Sequence, residues 1–310
     1  MKRFLCLLLL VFSLTLLCSC EGFGAPQSPS GENNSGTEGG SNTPTVYEYA
    51  DADKYASGDT SVYILLSKIN IEWQGGEVEF KERMQQNISF FEYCDGELSE
   101  DFKLHYYYDG NAMRIRPSAS GVKISDIPDK KLTVYVPMNY TFQNVVVSTD
   151  TADVTMSGVN TISADFSSIS GALSISDSEI NDNLKLSTGS GSISVALGGY
   201  LSTLDITSAS GNAVVRCAAY DSISSLSESG DVDISSTYTP ATVDMTSDGG
   251  DIMLALPADA GFVLDVAVGE GNFGCEFDGE NMDGEYTVGN GTASVQLDSR
   301  SGAVKVNVCK

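Results

Sequence analysis

The feature that most constrains this chain is a short unit that returns about every twenty residues. It reads apolar-x-apolar, four turn-like residues, glycine, then x-apolar-x-apolar. Leu184-Lys185-Leu186, Ser187-Thr188-Gly189-Ser190-Gly191, Ile193 and Val195 form the cleanest copy. Other copies begin at Val145, Ala164, Leu204, Ile223, Val243, Leu264 and Val295, and an isolated early copy begins at Ile69. From Val145 to Leu264 the starts lie 19 to 21 residues apart, and the last step, to Val295, is 31. Two departures stand out: Ala152 replaces a glycine, and Ser225 occupies a second apolar position.

Strict alternation on both sides of a turn means two half-buried strands per unit. A helix is excluded, because period two builds no apolar stripe at 3.6 residues per turn. Glycine in the turn is expected to supply positive φ, and the serine hydroxyls to bond nearby backbone. Hydroxyls recur in register at Thr149, Ser168, Thr188, Ser208, Ser227, Ser247 and Ser299, which predicts a ladder along one edge if the copies stack.

Two all-β architectures satisfy the pattern. One is a parallel β-solenoid, like a β-helix, with a coil of about twenty residues, right-handed by the usual chirality of parallel crossovers. The other is a β-sandwich, a meander of hairpins. Near-constant spacing favours the solenoid, because stacked coils need equal circumference and hairpins do not. Residues 81–144 are less regular. Asn87–Tyr93, Leu104–Tyr108 and Lys131–Pro137 read as strands, and Tyr108-Asp109-Gly110-Asn111 reads as a tight hairpin turn into Met113-Arg114-Ile115. Residues 277–295 form an insertion expected to cap or interrupt the stack.

The N-terminal part reads as an address and a tether. Met1-Lys2-Arg3 followed by Phe4 to Leu17 has the form of a secretory signal, too short for a comfortable membrane span. It ends in Leu17-Cys18-Ser19-Cys20, which resembles a bacterial lipobox. That resemblance implies removal of residues 1–19 and a lipid anchor on Cys20. Residues 20–45 form a flexible Gly/Ser/Asn-rich linker of roughly 25–30 Å average span. Residues 46–310 carry the repetitive domain, with regular repeats over 145–310. The expected location is the extracellular face of a bacterial cytoplasmic membrane. Loss of Lys2 and Arg3 with the signal takes the formal charge from −25 to −27, which excludes nucleic acid as a partner. It also leaves anchoring to the acyl chains and not to a basic patch.

Several blocks in this order resemble a known bacterial surface family. They are Ile69-Asn70-Ile71-Glu72-Trp73-Gln74-Gly75-Gly76-Glu77-Val78, then Leu132-Thr133-Val134-Tyr135-Val136-Pro137, the repeated Ser-x-Ser-Gly turns, and Tyr286-Thr287-Val288-Gly289-Asn290-Gly291 ahead of Val295-Gln296-Leu297-Asp298-Ser299-Arg300-Ser301-Gly302. The family is domain of unknown function 4097, a group described as adhesins. The resemblance spans about residues 46–310 and implies a cell-surface β-solenoid. It implies no catalytic activity and supplies no site residues.

Motifs for chemistry are sparse. His105, the one histidine, lies in Leu104-His105-Tyr106-Tyr107-Tyr108 without a nucleophile motif, so it reads as a residue on an aromatic strand. Cys94, Cys217, Cys275 and Cys309 show no CxxC spacing and are expected as free thiols, although an extracellular setting permits disulfides. Glu228, Asp231, Asp248 and Asp251 occupy matching turn positions in two successive copies. Stacking would bring like charges together, which either a Ca²⁺ ion or simple solvation could relieve. Arg114 and Arg116 lie across the predicted hairpin from Tyr106, Tyr107 and Tyr108, an arrangement that could line a sugar-binding face. No carboxylate pair is fixed by spacing as an acid and base. The expected function is therefore a non-enzymatic surface lipoprotein that binds a glycan, cell-wall or protein ligand. An envelope-sensing module acting on a membrane partner is the alternative, and a polysaccharide-active enzyme the third reading.

Overall fold

The computed structural model describes residues 45–63, 66–282 and 285–309. Cys20, the signal and nearly all of the linker lie outside them. The described chain is all β, apart from three single-turn 3-10 segments at Ala52–Lys54, Glu100–Phe102 and Ile124–Asp126.

Strands before the turns form one face and strands after the turns the other. Both are parallel, coil upon coil, which excludes the hairpin meander for the repeat region. Val145 pairs with Ala164, Ala164 with Leu184, Leu184 with Leu204, Leu204 with Ile223, and Ile223 with Val243. Beyond the turn, Val154, Leu173, Ile193, Ala213, Val232 and Ile252 continue the same register. The alternation works as read: these residues are buried between the faces, and Ile71, Val78, Phe80 and Leu186 are fully excluded from solvent. Ser225 is the defect in the core. It sits between Ile206 and Met245, and its buried hydroxyl meets no hydrogen-bond partner among the described residues.

The turn glycines are required for a reason other than the expected one. None of Gly171, Gly191, Gly211, Gly230, Gly250, Gly271 or Gly302 has positive φ. What excludes a side chain is the neighbouring coil: a Cβ on Gly211 would lie 1.8 Å from the Gly191 carbonyl oxygen, and one on Gly230 2.1 Å from that of Gly211. The hydroxyl ladder forms in register, but inside the stack. Ser208 and Ser227 donate to the carbonyls of Gly211 and Gly230 at 2.6 Å, while the buried hydroxyls of Thr188 and Ser299 meet no hydrogen-bond partner among the described residues. The ladder displays nothing.

Stacking does not follow chain order at either end. The last copy, Ala293–Ser299 with Val304–Val308, lies between coils 243–254 and 264–275, pairing Val243 with Val295 and Leu264 with Val295. The 31-residue step is the path needed to double back. Part of the 277–295 insertion does cap the stack, since Gly279–Met282 and Glu285–Val288 form a hairpin antiparallel to Phe262–Val268. At the other end, coil 68–83 lies between coil 145–157 and a further level made by Ala112–Arg116 and Lys130–Pro137. The template misses that level because residues 117–129 separate its two strands. The strands His105–Asp109 and Ile88–Tyr93 then cap it with antiparallel pairing.

The corner geometry yields a sharp expectation. Gly211→Ala should destabilise the fold by about 1–3 kcal/mol, because the Cβ would meet the backbone of Ser190 and Gly191, which cannot yield. Gly198→Ala, where nothing lies within 4 Å of the new methyl, should be close to neutral in the same urea titration.

Candidate binding face

The acidic positions separate into different roles. The Asp231 carboxylate accepts the backbone N–H of Asp251 at 2.9 Å, and the Asp251 carboxylate accepts that of Ala303 at 2.8 Å. Each tethers one coil to the next. Asp248 lies 3.5 Å from Arg300, which reaches it only because the last copy is inserted there. Glu228 is exposed. Among the described residues no group of three or more His, Cys, Asp or Glu is placed to share a metal ion.

The arginine–tyrosine arrangement is not an open sugar site. Tyr106 and Tyr108 turn toward the core, while Arg114 faces Tyr107 and binds Asp109 at 3.2 Å. Arg116 is buried, ion-paired to Glu72 at 3.1 Å, bonded to Asn70 at 2.9 Å and set 5.9 Å from the rings of both Tyr49 and Tyr55. The Tyr47 hydroxyl donates to Glu72 at 2.8 Å. The incoming segment around residues 46–57 is thereby held against the sheet, and burial foremost pushes the Tyr49 and Tyr55 phenols up from their ordinary range. His105 is half-buried with Nδ1 2.9 Å from the Lys103 carbonyl. Cys94, Cys217, Cys275 and Cys309 are free thiols.

Both outer surfaces of the stack are open, and the one on the strands that precede the turns is the more regular in its polar residues. Three rows of side chains face solvent there. The first runs through Asn144, Ser163, Asn183, Thr203, Ser222, Thr242 and Ser294. The third runs through Ser148, Ser167, Ser187, Thr207, Leu226, Thr246 and Asp298. Between them lie Val146, Asp165, Lys185, Asp205, Ser224, Asp244 and Gln296. Burial against neighbouring side chains pulls the Asp165 carboxyl up, Lys185 opposes that shift, and Asp205 adds to it. Most of the side chains on it are short, with Lys185, Leu226 and Gln296 the long exposed exceptions. The face repeats at the coil spacing of about 4.8 Å.

Residues 66–307 match the model of the family described as Toastrack DUF4097. The chain belongs to that family. No curated protein matches it. Among solved structures, this Toastrack chain is similar to a "putative lipid binding protein" from Parabacteroides distasonis, at 14% identity and a TM-score of 0.47, covering 80% of this chain and 95% of that one. A "putative adhesin" from Bacteroides fragilis gives 11%, 0.39, 82% and 97%. A "putative cell adhesion protein" from Clostridium sporogenes gives 12%, 0.26, 82% and 100%.

One buried feature escaped the sequence reading. Lys130 is 3% exposed, and its ammonium binds the Glu92 carboxylate and the carbonyls of Phe102 and Pro117 at 2.6 Å each, with the Trp73 ring 4.8 Å away. Burial pulls its pKa down, against the opposing pull of Glu92. The signal was present, since Lys130 shares the inward phase of Leu132, Val134 and Val136. Lys130→Met with Glu92 left in place should cost about 3–5 kcal/mol by stranding a charge. Adding Glu92→Leu should recover most of it, as read by chemical denaturation of the two variants.

Proposed function

We propose that this protein is a non-enzymatic surface lipoprotein, anchored through Cys20, whose right-handed β-solenoid binds an extended glycan of the cell envelope. The observation that carries the reading is the three-row face. Hydroxyls, amides and carboxylates repeat there in register over seven coils, with no cleft between them. Such a surface suits a long polymer with its own short repeat more than a small molecule, which needs a concave pocket. A spacing of about 4.8 Å is comparable with the rise of one pyranose unit along an extended chain.

Charge narrows the ligand class. Residues 138–310 hold 23 acidic and five basic side chains, while 46–137 hold 16 and ten. The repeats therefore repel polyanions, and a neutral or amino-sugar polymer is the compatible partner.

Two measurements test this. The purified mature chain should co-sediment with insoluble envelope polysaccharide. Ser187→Arg combined with Thr207→Arg should weaken that binding at least about tenfold, roughly 1.4 kcal/mol, while Ser174→Arg with Ser194→Arg on the opposite face should not. Equal binding by all three proteins would overturn the assignment of the face. Cys20→Ser should move the protein from the membrane fraction to the soluble one after cell lysis, and retention would remove the lipid anchor from the proposal.

A further inference from the structure

We propose that the C-terminal coil, Ala293–Ser299 with Val304–Val308, is a donor segment that a second copy of this chain accepts, so that two molecules exchange it and form a swapped dimer.

The coil occupies a slot. Val243, Met245, Ile252 and Leu254 line one side, and Leu264, Val266, Phe273 and Cys275 the other. Val295, Leu297, Val304 and Val306 fill it and are at most 1% exposed. Among the described pairings, coil 264–275 is joined to the rest of the stack only through this insert. It has no direct pairing with coil 243–254, its predecessor in the sequence.

The connection to the insert straddles a strand. Glu285–Val288 runs along one flank of Phe262–Val268 and the donor along the other. Residues 289–292 carry the chain across, with Gly289 and Gly291 at φ of 58° and 62°. The backbone N–H of Ala293 and the Thr292 hydroxyl both donate to the Gly261 carbonyl, at 3.1 and 3.3 Å. The crossing is short and sharply bent, and a swap replaces it with an extended link between two bodies.

Folding order supplies the opportunity. The coils from 145 to 254 close on one another about twenty residues apart, whereas Val243 meets Val295 across 52 residues. The slot therefore fills late. During that interval the donor of a second copy satisfies it equally well, by identity of sequence. An unrelated strand does not, because the corner is specific: a Cβ on Gly302 would lie 2.0 Å from the Gly250 carbonyl, Ala303 N–H needs the Asp251 carboxylate, and Arg300 meets Asp248.

The test uses the mature chain with a protease site inserted between Asn290 and Gly291. Heavy-isotope and ordinary copies are mixed, unfolded and refolded over a range of concentrations. Dimer should rise with refolding concentration, over the monomer formed at low concentration. Cleavage of the inserted site should then dissolve the dimer into monomer-sized units. Mass spectrometry should find about half of those units carrying a body and a C-terminal coil of different isotope, as random exchange requires. Monomer alone at every concentration overturns the proposal. So does a dimer that survives cleavage with each body holding its own coil.

Discussion

The close approach of backbone to backbone at the glycine corner is the constraint on which the rest depends. A carbonyl of one coil lies where a Cβ of the next would be, at about 2 Å, from Gly171 through Gly302 and Gly271. Only glycine permits that stacking distance. Stacking in turn satisfies the strand backbone in parallel ladders, buries the alternate apolar residues, and turns their partners outward. Hydroxyls three residues before five of the corners complete them: Thr149, Ser208 and Ser227 donate to the carbonyls of Ala152, Gly211 and Gly230 at 2.8, 2.6 and 2.6 Å, while Ser168 and Ser247 accept from Gly171 and Gly250 at 2.7 and 2.9 Å. Ala152 is tolerated because its own neighbour on that side is the irregular coil at Gln74, whose carbonyl its backbone N–H meets at 3.3 Å.

The inverted order at both ends solves a problem that any stack of parallel strands creates, namely open edges. At one end coil 68–83 is covered by a level formed later in the chain, and antiparallel strands close over that. At the other, the last copy is sealed between two others. Fraying from the repeat nearest either end of the chain would therefore require withdrawing a coil from the interior. The inversion also has an electrostatic consequence, because it sets Arg300 beside Asp248, whose neighbour on the other side in that column is Glu228.

Much of the candidate surface was legible in the residues. Ser187, Thr207 and Asp205 lie out of phase with Leu184, Leu186 and Ile206, so their outward direction follows from alternation alone. Ser208 and Ser227 continue the inward phase of Leu204, Ile206 and Ile223, so alternation places them inside as well; what it did not supply is their partners, the carbonyls of Gly211 and Gly230. Arg116 and Tyr49 are far apart in sequence, and only the path of the incoming segment brings them together. Lys130 pairs with Glu92 for the same reason, through antiparallel strands that no repeat predicts.

Alternation and glycine spacing set the strands, the corner positions and the inward and outward faces, because period two puts every second residue on the buried side. A parallel stack and a meander of hairpins bury those same residues, and the choice between them fell to the tertiary structure. The order of the coils at the two ends and the tenth level at Ala112–Arg116 and Lys130–Pro137 were likewise decided there. The physical reason is that the repeat specifies which coils are compatible neighbours without specifying which of them meet. Any two copies of the unit stack equally well, so the choice falls to the long connections and caps, whose contacts are non-local and leave no period in the chain.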